Sequence, residues 1–209
     1  SARFGAGAVR RLEDFANIRH KTRVGAEDVF DVSELVLRAI DMTELWWKTE
    51  PEKEGYKIVV NTDLQPELIA KVQEDDLFEV LLNIIKNATE AMPLGGQIKL
   101  SSRLDDDKVL IVLEDSGIGI SQDNLAKIFE PFWTTKGFKA TGMGLSSSLG
   151  VLKRYKGDIS IQSELGKGTA VTISLPATPA VPFQEQTPVQ PISPRKPLNI
   201  LRSEERRVG

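Results

Sequence analysis

Two asparagines, Asn83 and Asn87, stand four residues apart in the segment 75–92, whose apolar residues recur at helical spacing. Residues four apart share one side of a helix, and by angle these two amides border the apolar stripe. A neutral amide oxygen suits Mg²⁺ that is held mainly by phosphates and water. The pair therefore indicates the metal end of a ligand pocket, with two solvated or capping amides as the alternative.

Asp115 follows an apolar stretch, residues 109–113, and precedes Gly117 and Gly119. A carboxylate at the end of an apolar strand is poorly solvated and needs a hydrogen-bond donor, which the exocyclic amine of adenine can supply. The two glycines allow a tight turn and a close approach to a flat base. A plain turn after a strand explains the segment equally well when it is taken alone.

Two further segments could hold phosphate or close over a ligand. Residues 141–146 (TGMGLS) lead into a predicted helix, whose free N–H groups attract phosphate, although a helix cap is the alternative. Residues 128–136 (IFEPFWTTK) group aromatic side chains around a proline, which indicates either a mobile lid or a small hydrophobic cluster. Lys136 could reach phosphate as a point charge.

The elements that must position these residues follow from periodicity and from turn residues. Helices are predicted over residues 8–20, about 31–48, 75–92 and about 144–155, and strands over 57–61, 97–104, 108–114, 158–163 and 169–175. Asp31, with Glu34 three residues on, should begin the second helix, and Pro51 and Gly55 should end it. An acidic turn at 105–107 should close a hairpin. This order predicts a two-layer α/β sandwich with a mixed, mostly antiparallel sheet and about three helices.

The composition narrows the class of protein. The 209 residues fit one domain with flanking segments, and the net charge of -3 argues against nucleic acid as the main partner. The lack of cysteine excludes disulfides and thiolate metal sites and suits a reducing compartment. No apolar run reaches the length of a membrane span. Beyond Pro176, prolines recur in a polar stretch that predicts a disordered linker.

Four segments, in their order along the chain, resemble the catalytic ATP-binding domain of sensor histidine kinases, within the Bergerat-fold family. LLNIIKNATEAM (81–92) resembles the asparagine box and EDSGIGI (114–120) the first glycine box. IFEPFWTTK (128–136) resembles the phenylalanine box, and the segment 142–176 resembles the second glycine box with the closing strands. The resemblance implies the Bergerat ATP-binding fold and a site for ATP and Mg²⁺.

The resemblance also implies a role for each matching position. Asn87 would hold Mg²⁺ and phosphate oxygens with Asn83 beside it, and Asp115 would bind the adenine amine. The other implied cofactor-binding residues are Gly117, Gly119, Lys136, Gly142, Met143, Gly144, Leu145 and Thr169. Relatives that hydrolyse ATP carry a glutamate where this chain has Asn83, and an amide is a poor general base. Phosphoryl transfer to a protein histidine is therefore favoured over hydrolysis.

The resemblance further divides the chain and names its partners. Residues 1–29 would be a remnant of the second dimerisation helix with its connector, 30–176 the catalytic domain, and 177–209 a linker towards a receiver domain. His20, the only histidine, has basic neighbours and does not match an acceptor motif. The acceptor is expected in a histidine-containing dimerisation domain, upstream or in trans. A response regulator receiver domain and a homodimer of the full-length protein are also expected.

The remaining expectations concern location and alternative functions. A cytoplasmic domain is expected, and the full-length protein could be either soluble or membrane-anchored. Residues 194–201 resemble the lead-in to a receiver domain, which suggests a hybrid kinase, whereas the charged residues 202–209 fit no strand. The alternatives are a hydrolytic ATPase module, an anti-sigma or serine-kinase-like regulator on the same fold, and a degenerate binding module without catalysis.

Overall fold

A computed structural model describes residues 30–135 and 141–178 of the chain. Its elements are α1 (Val32–Met42), a π-helical turn (Leu45–Thr49), α2 (Glu50–Glu54), β1 (Ile58–Leu64), α3 (Glu74–Glu90), β2 (Gly96–Asp105), β3 (Lys108–Asp115), α4 (Gln122–Leu125), α5 (Gly144–Arg154), β4 (Asp158–Glu164) and β5 (Gly168–Pro176). The predictions for the helix at 8–20, for His20, for Lys136 and for the stretch beyond residue 178 lie outside the described residues.

The five strands form one sheet in the order β1-β2-β3-β5-β4. β1 runs parallel to β2, and the other three neighbouring pairs are antiparallel, including the predicted hairpin of β2 and β3. Alternate residues of the central strands are buried, so one face of the sheet lies against the helices. These buried residues include Ile98, Leu100, Val109, Ile111, Leu113, Val171, Ile173 and Leu175. The predicted two-layer sandwich with a mixed, mostly antiparallel sheet is confirmed.

Helix α3 lies across the covered face of the sheet and contacts both α1 and α5. The stripe predicted from its periodicity is buried: Leu77, Val80, Leu81, Ile84, Ile85 and Ala88 are each at most 3% exposed. Burial of a leucine or isoleucine side chain contributes about 2 kcal/mol, so the stripe fixes how α3 is rotated about its axis. Asn83 and Asn87 are only partly buried and lie at the border of the stripe, as predicted.

The first described helix departs from the prediction at its C-terminal end. Asp31 caps its start as expected, since its side chain accepts a hydrogen bond from the N–H of residue 33 at 2.8 Å. However, α1 ends at residue 42 rather than about 48, and the π-helical turn and α2 follow. Pro51 was predicted to end a helix but lies in the first turn of α2, where a missing N–H costs no hydrogen bond. Gly55, with φ 86°, ends α2.

A polar contact ties the beginning of α3 to the end of α5. The hydroxyl of Tyr155 donates a hydrogen bond to the Asp76 carboxylate, and Arg154 lies 3.3 Å from the same carboxylate. Burial, together with the hydrogen bond to Asp76, raises the pKa of Tyr155 to about 12, so the hydroxyl keeps its proton at neutral pH. The two helices are therefore held together at the end opposite to the glycine loop that begins α5.

Replacement of Tyr155 with Phe should lower the free energy of unfolding by about 1.5–3 kcal/mol, because one hydrogen bond to a charged group is lost while the ring is kept. Urea unfolding followed by circular dichroism measures the change. Tyr56→Phe is the matched control, since the hydroxyl of Tyr56 lies at the surface beside Glu54. The Tyr56 hydroxyl also hydrogen-bonds to a carboxylate, but at the surface, so its loss should cost less. An unchanged free energy of unfolding in Tyr155→Phe would show that the contact between α3 and α5 does not contribute to stability.

Candidate functional site

A cleft of about 650 Å³ opens between α3, the ends of β3 and β5, and the loops on either side of α4. This volume lies within the range of about 300–1,000 Å³ that is usual for small-molecule sites. Eight of the predicted site residues line it: Asn83, Asn87, Asp115, Gly119, Gly142, Gly144, Leu145 and Thr169. Segments from four separate parts of the sequence thus meet in one place.

Two predicted site residues do not line the cleft, and a third lies outside the described residues. Gly117 lies behind it, where its N–H donates a hydrogen bond to Asp115 Oδ1 at 2.8 Å. Met143 immediately precedes α5 and is 43% exposed. Lys136 lies outside the described residues. Their roles as cofactor-binding residues stay predictions.

The carboxylate of Asp115 lies at the end of β3 with 9% of the residue exposed. Burial raises its pKa above the usual 3.8, while hydrogen bonds from the backbone N–H groups of Gly117 and Thr169 act in the opposite direction. Asp115 faces Thr169 directly across the β3–β5 pair. A partly desolvated acceptor therefore faces the cleft, and a ligand that brings a hydrogen-bond donor would stabilise its charged form.

The walls around Asp115 are apolar. Leu113, Ile161 and Val171 line the cleft from three neighbouring strands, while Ile118 and Leu165 stand at its rim with 61% and 68% exposure. Apolar walls with one charged acceptor can hold a flat ring that carries an amino group. The side chains of these apolar walls have no polar groups that could compensate the desolvation of a highly charged ligand.

Gly119 allows the loop after β3 to pass close to the turn between β4 and β5. Its φ of 69° lies in the left-handed region, and a Cβ there would come within 2.1 Å of the carbonyl oxygen of Glu164. Next to it, the N–H of Gly166 donates to the carbonyl of Ile118 at 2.8 Å. A side chain at residue 119 would therefore push this rim of the cleft apart.

The opposite end of the cleft is formed by α3 and by the beginning of α5. Asn83 Nδ2 donates a hydrogen bond to Ser148 Oγ at 3.0 Å, and a Cβ on Gly144 would come within 2.3 Å of Asn83 Oδ1. Met143 caps α5 without a side-chain hydrogen bond, and Gly144 and Leu145 of the first turn line the cleft. The N–H groups of a first turn attract anions. This end of the cleft suits phosphate.

Several residues of the site were not found from the sequence. Lys86 lines the cleft beside Asn87, with its Nζ 5.9 Å from the centre of the Trp46 ring. Ser148 and Ser163 hydrogen-bond to the predicted site residues Asn83 and Thr169. Lysine and serine in helices and strands are usually solvated, so their residue types gave no signal. Lys86 adjoins Asn87 on α3, whereas only the packing of α5 on α3 and the register of β4 with β5 bring the two serines to the site.

Comparison with solved structures identifies the class of fold. The catalytic domain of histidine kinase ThkA matches with a TM-score of 0.60 and 26% sequence identity, over 73% of this chain and 97% of that domain. The five-stranded sheet with its covering helices is therefore the fold of histidine kinase catalytic domains.

Sequence comparison gives the family. The histidine kinase-, DNA gyrase B- and HSP90-like ATPases match residues 72–179, and this chain belongs to that family. Sporulation kinase E of Bacillus subtilis (strain 168) is 43% identical over 122 residues, which are 56% of this chain and 16% of the relative. Sensor kinase CckA of Brucella abortus (strain 2308) is 36% identical over 192 residues, which are 84% of this chain and 19% of the relative. The predicted relationship to sensor histidine kinases is confirmed.

The chain spans less than a fifth of the length of these two curated relatives, so it corresponds to one part of them. Within residues 30–135 and 141–178, none of the helices is long and apolar enough to cross a membrane. The predicted division into residues 1–29, 30–176 and 177–209 stays a prediction.

The buried carboxylate predicts how stability depends on pH. Because the pKa of Asp115 is raised in the folded state, protonation favours folding, and this contribution is lost as pH rises through the folded-state pKa. The free energy of unfolding of the wild type, relative to Asp115→Asn, should therefore increase as pH falls from neutral to about 4. Urea unfolding of both proteins over this range measures the difference.

Asp158→Asn provides a control whose difference from the wild type should stay constant over this range. A hydrogen bond from Lys153, at 3.0 Å, holds the pKa of Asp158 below its usual 3.8. Its contribution to stability is present above that value and is lost only as pH falls below it. If the difference in the free energy of unfolding between the wild type and Asp115→Asn did not vary with pH, burial would not raise the pKa of Asp115 as described.

Proposed function

We propose that this chain binds Mg-ATP and transfers the γ-phosphoryl group of ATP to a histidine of a dimerisation domain in two-component signal transduction. The observation that carries the proposal is that one cleft has an apolar end around a carboxylate and a polar end around an asparagine. Asp115 offers a buried acceptor at the apolar end, and Asn87 with the first turn of α5 offers neutral polar groups at the other. Membership of an ATPase family and homology to sensor kinases support it.

Adenine would lie at the apolar end. Its amino group would donate to the Asp115 carboxylate, with Thr169 beside it and Gly117 and Gly119 shaping the turn around the ring. Leu113 and Val171 would contact the ring from the strands. A charged acceptor strengthens the hydrogen bond, and partial burial reduces competition from water.

The triphosphate would extend towards α5. The glycine loop of Gly142, Met143, Gly144 and Leu145 would form the phosphate side of the lid, and Lys136 and Lys86 would supply positive charge. The residues that the structure describes contain no group of three or more His, Asp or Glu that could hold a metal ion. This donor set fits Mg²⁺ bound chiefly by phosphates and water with the Asn87 amide, where the ion would neutralise phosphate charge.

Transfer rather than hydrolysis is favoured by Asn83. An amide cannot take a proton from water, and the Nδ2 of Asn83 already donates to Ser148. The nucleophile would instead be a ring nitrogen of the acceptor histidine, which forms a bond to the γ-phosphorus while the bond to the bridging oxygen breaks and ADP leaves. The protein would supply positioning and charge neutralisation, as in other phosphoryl transfers.

The partners follow from this reaction. The acceptor histidine would lie in a dimerisation domain supplied upstream or in trans, and the phosphoryl group would pass on to a response regulator receiver domain. The full-length protein would act as a homodimer, with this domain in the cytoplasm.

Asn87→Ala and Asp115→Ala should each weaken binding of a non-hydrolysable ATP analogue by at least about tenfold, because each removes a polar contact at one end of the nucleotide. Isothermal titration calorimetry in the presence of Mg²⁺ measures the affinity, and circular dichroism checks that the variants are folded. Asn61→Ala and Asp63→Ala on the exposed part of β1 are matched controls and should bind like the wild type. Unchanged affinity in both site variants would refute the proposed site.

The type of reaction is tested with labelled ATP. With a separately supplied histidine-containing dimerisation domain of a homologous sensor kinase, the wild type should transfer the label to protein in an acid-labile, histidine-linked form. The same domain carrying glutamine in place of its acceptor histidine is the control. Without the acceptor domain, phosphate release should be slow. Fast release that is unaffected by the acceptor domain, with no label on protein, would favour a hydrolytic ATPase instead.

A further inference from the structure

The hydroxyl of Ser163 on β4 makes three polar contacts beside Thr169, its partner across the β4–β5 pair at the apolar end of the cleft. Ser163 Oγ donates a hydrogen bond to the carbonyl of Gly168 at 2.7 Å and accepts one from the N–H of Ile120 at 2.9 Å. It also lies 2.9 Å from Thr169 Oγ1. Three polar groups therefore meet at one half-buried serine that does not itself line the cleft.

The number of protons available decides the direction of the contact between the two hydroxyls. A serine hydroxyl has one proton and two lone pairs. The proton of Ser163 is used on Gly168 and one lone pair on Ile120, so Ser163 can only accept from Thr169. The single proton of Thr169 then points towards Ser163, and only the lone pairs of Thr169 Oγ1 remain for the cleft.

The consequence is that both side chains at this end of the cleft act as acceptors. Asp115, when ionised, has no proton to donate, and Thr169 lies directly opposite it across the β3–β5 pair. A ring that carries an amino group brings two N–H donors to this place. A ring that carries a carbonyl at the same position would place its oxygen against the acceptor oxygens of Asp115 and Thr169, with no proton to form a hydrogen bond.

We infer that Ser163 is a specificity-determining positioning residue, which fixes the hydroxyl proton of Thr169 so that the cleft selects an amino-bearing ring over a carbonyl-bearing one. The inference rests on the proposed nucleotide site and deepens it. Asp115 alone would leave Thr169 free to rotate and donate to a carbonyl. The neighbouring serine, which does not line the cleft, removes that freedom.

The test compares ATP with inosine triphosphate, which carries a carbonyl where ATP carries the amino group. The wild type should bind ATP more tightly. In Ser163→Ala the dissociation constant for inosine triphosphate, divided by that for ATP, should fall by about three- to tenfold. The reason is that Thr169 could then also donate a hydrogen bond to the carbonyl of inosine. Ser163→Cys, which keeps the volume but accepts hydrogen bonds weakly, should lower the ratio in the same direction. Ser160→Ala, at an exposed position of the same strand, should leave it unchanged.

A double-mutant cycle separates this role from a structural one. In Thr169→Val the hydroxyl is gone, so adding Ser163→Ala should change the ratio no further. Parallel weakening of both nucleotides in Ser163→Ala and Ser163→Cys, with an unchanged ratio, would mean that Ser163 only supports the loop, and the inference would be overturned. Failure of the wild type to bind either nucleotide would instead refute the proposed function.

Discussion

The rotation of α3 about its own axis is the constraint on which the site depends. The helix must bury Leu81, Ile84 and Ile85 against the sheet, and a turn of 100° per residue then brings Asn83 and Asn87 to the edge of the packed face. Helix α5 is held on α3 through Tyr155 at one end and Ser148 at the other. The packing of α5 on α3 therefore positions both the two amides and the beginning of α5 beside them.

Side chains of β3 alternate between the two faces of the sheet, and this alternation places the carboxylate of Asp115 on the buried face. Val109, Ile111 and Leu113 point into the core, so Asp115, two residues further on, points the same way. Backbone N–H groups of Gly117 and Thr169 stabilise its charged form, but burial still raises its pKa. The fold thus compensates the charge of this acceptor only in part, and such groups are frequent at functional sites.

Much of this arrangement could be predicted from the sequence, because it depends on local patterns. The stripe of α3, the hairpin of β2 and β3, and the helix start at Asp31 are each contained in a few neighbouring residues, and all were found in the structure. The π-helical turn after α1 was not predicted, because a proline at residue 51 indicates a helix end whether or not a second helix begins there. The functions of the site residues and the division of the chain stay predictions.

The serines show why part of a site escapes sequence patterns. Ser148 hydrogen-bonds to Asn83, 65 residues away along the chain, and Ser163 to Thr169 across the β4–β5 turn. In each case the serine hydroxyl hydrogen-bonds to one atom of a residue that lines the cleft, and the other polar groups of that residue remain available to a ligand. Asn83 keeps its amide oxygen and the second proton of Nδ2, and Thr169 keeps its lone pairs. The preference proposed for an amino-bearing ring would therefore depend on the direction of one hydroxyl proton, which follows from the three-dimensional hydrogen-bond network rather than from residue types.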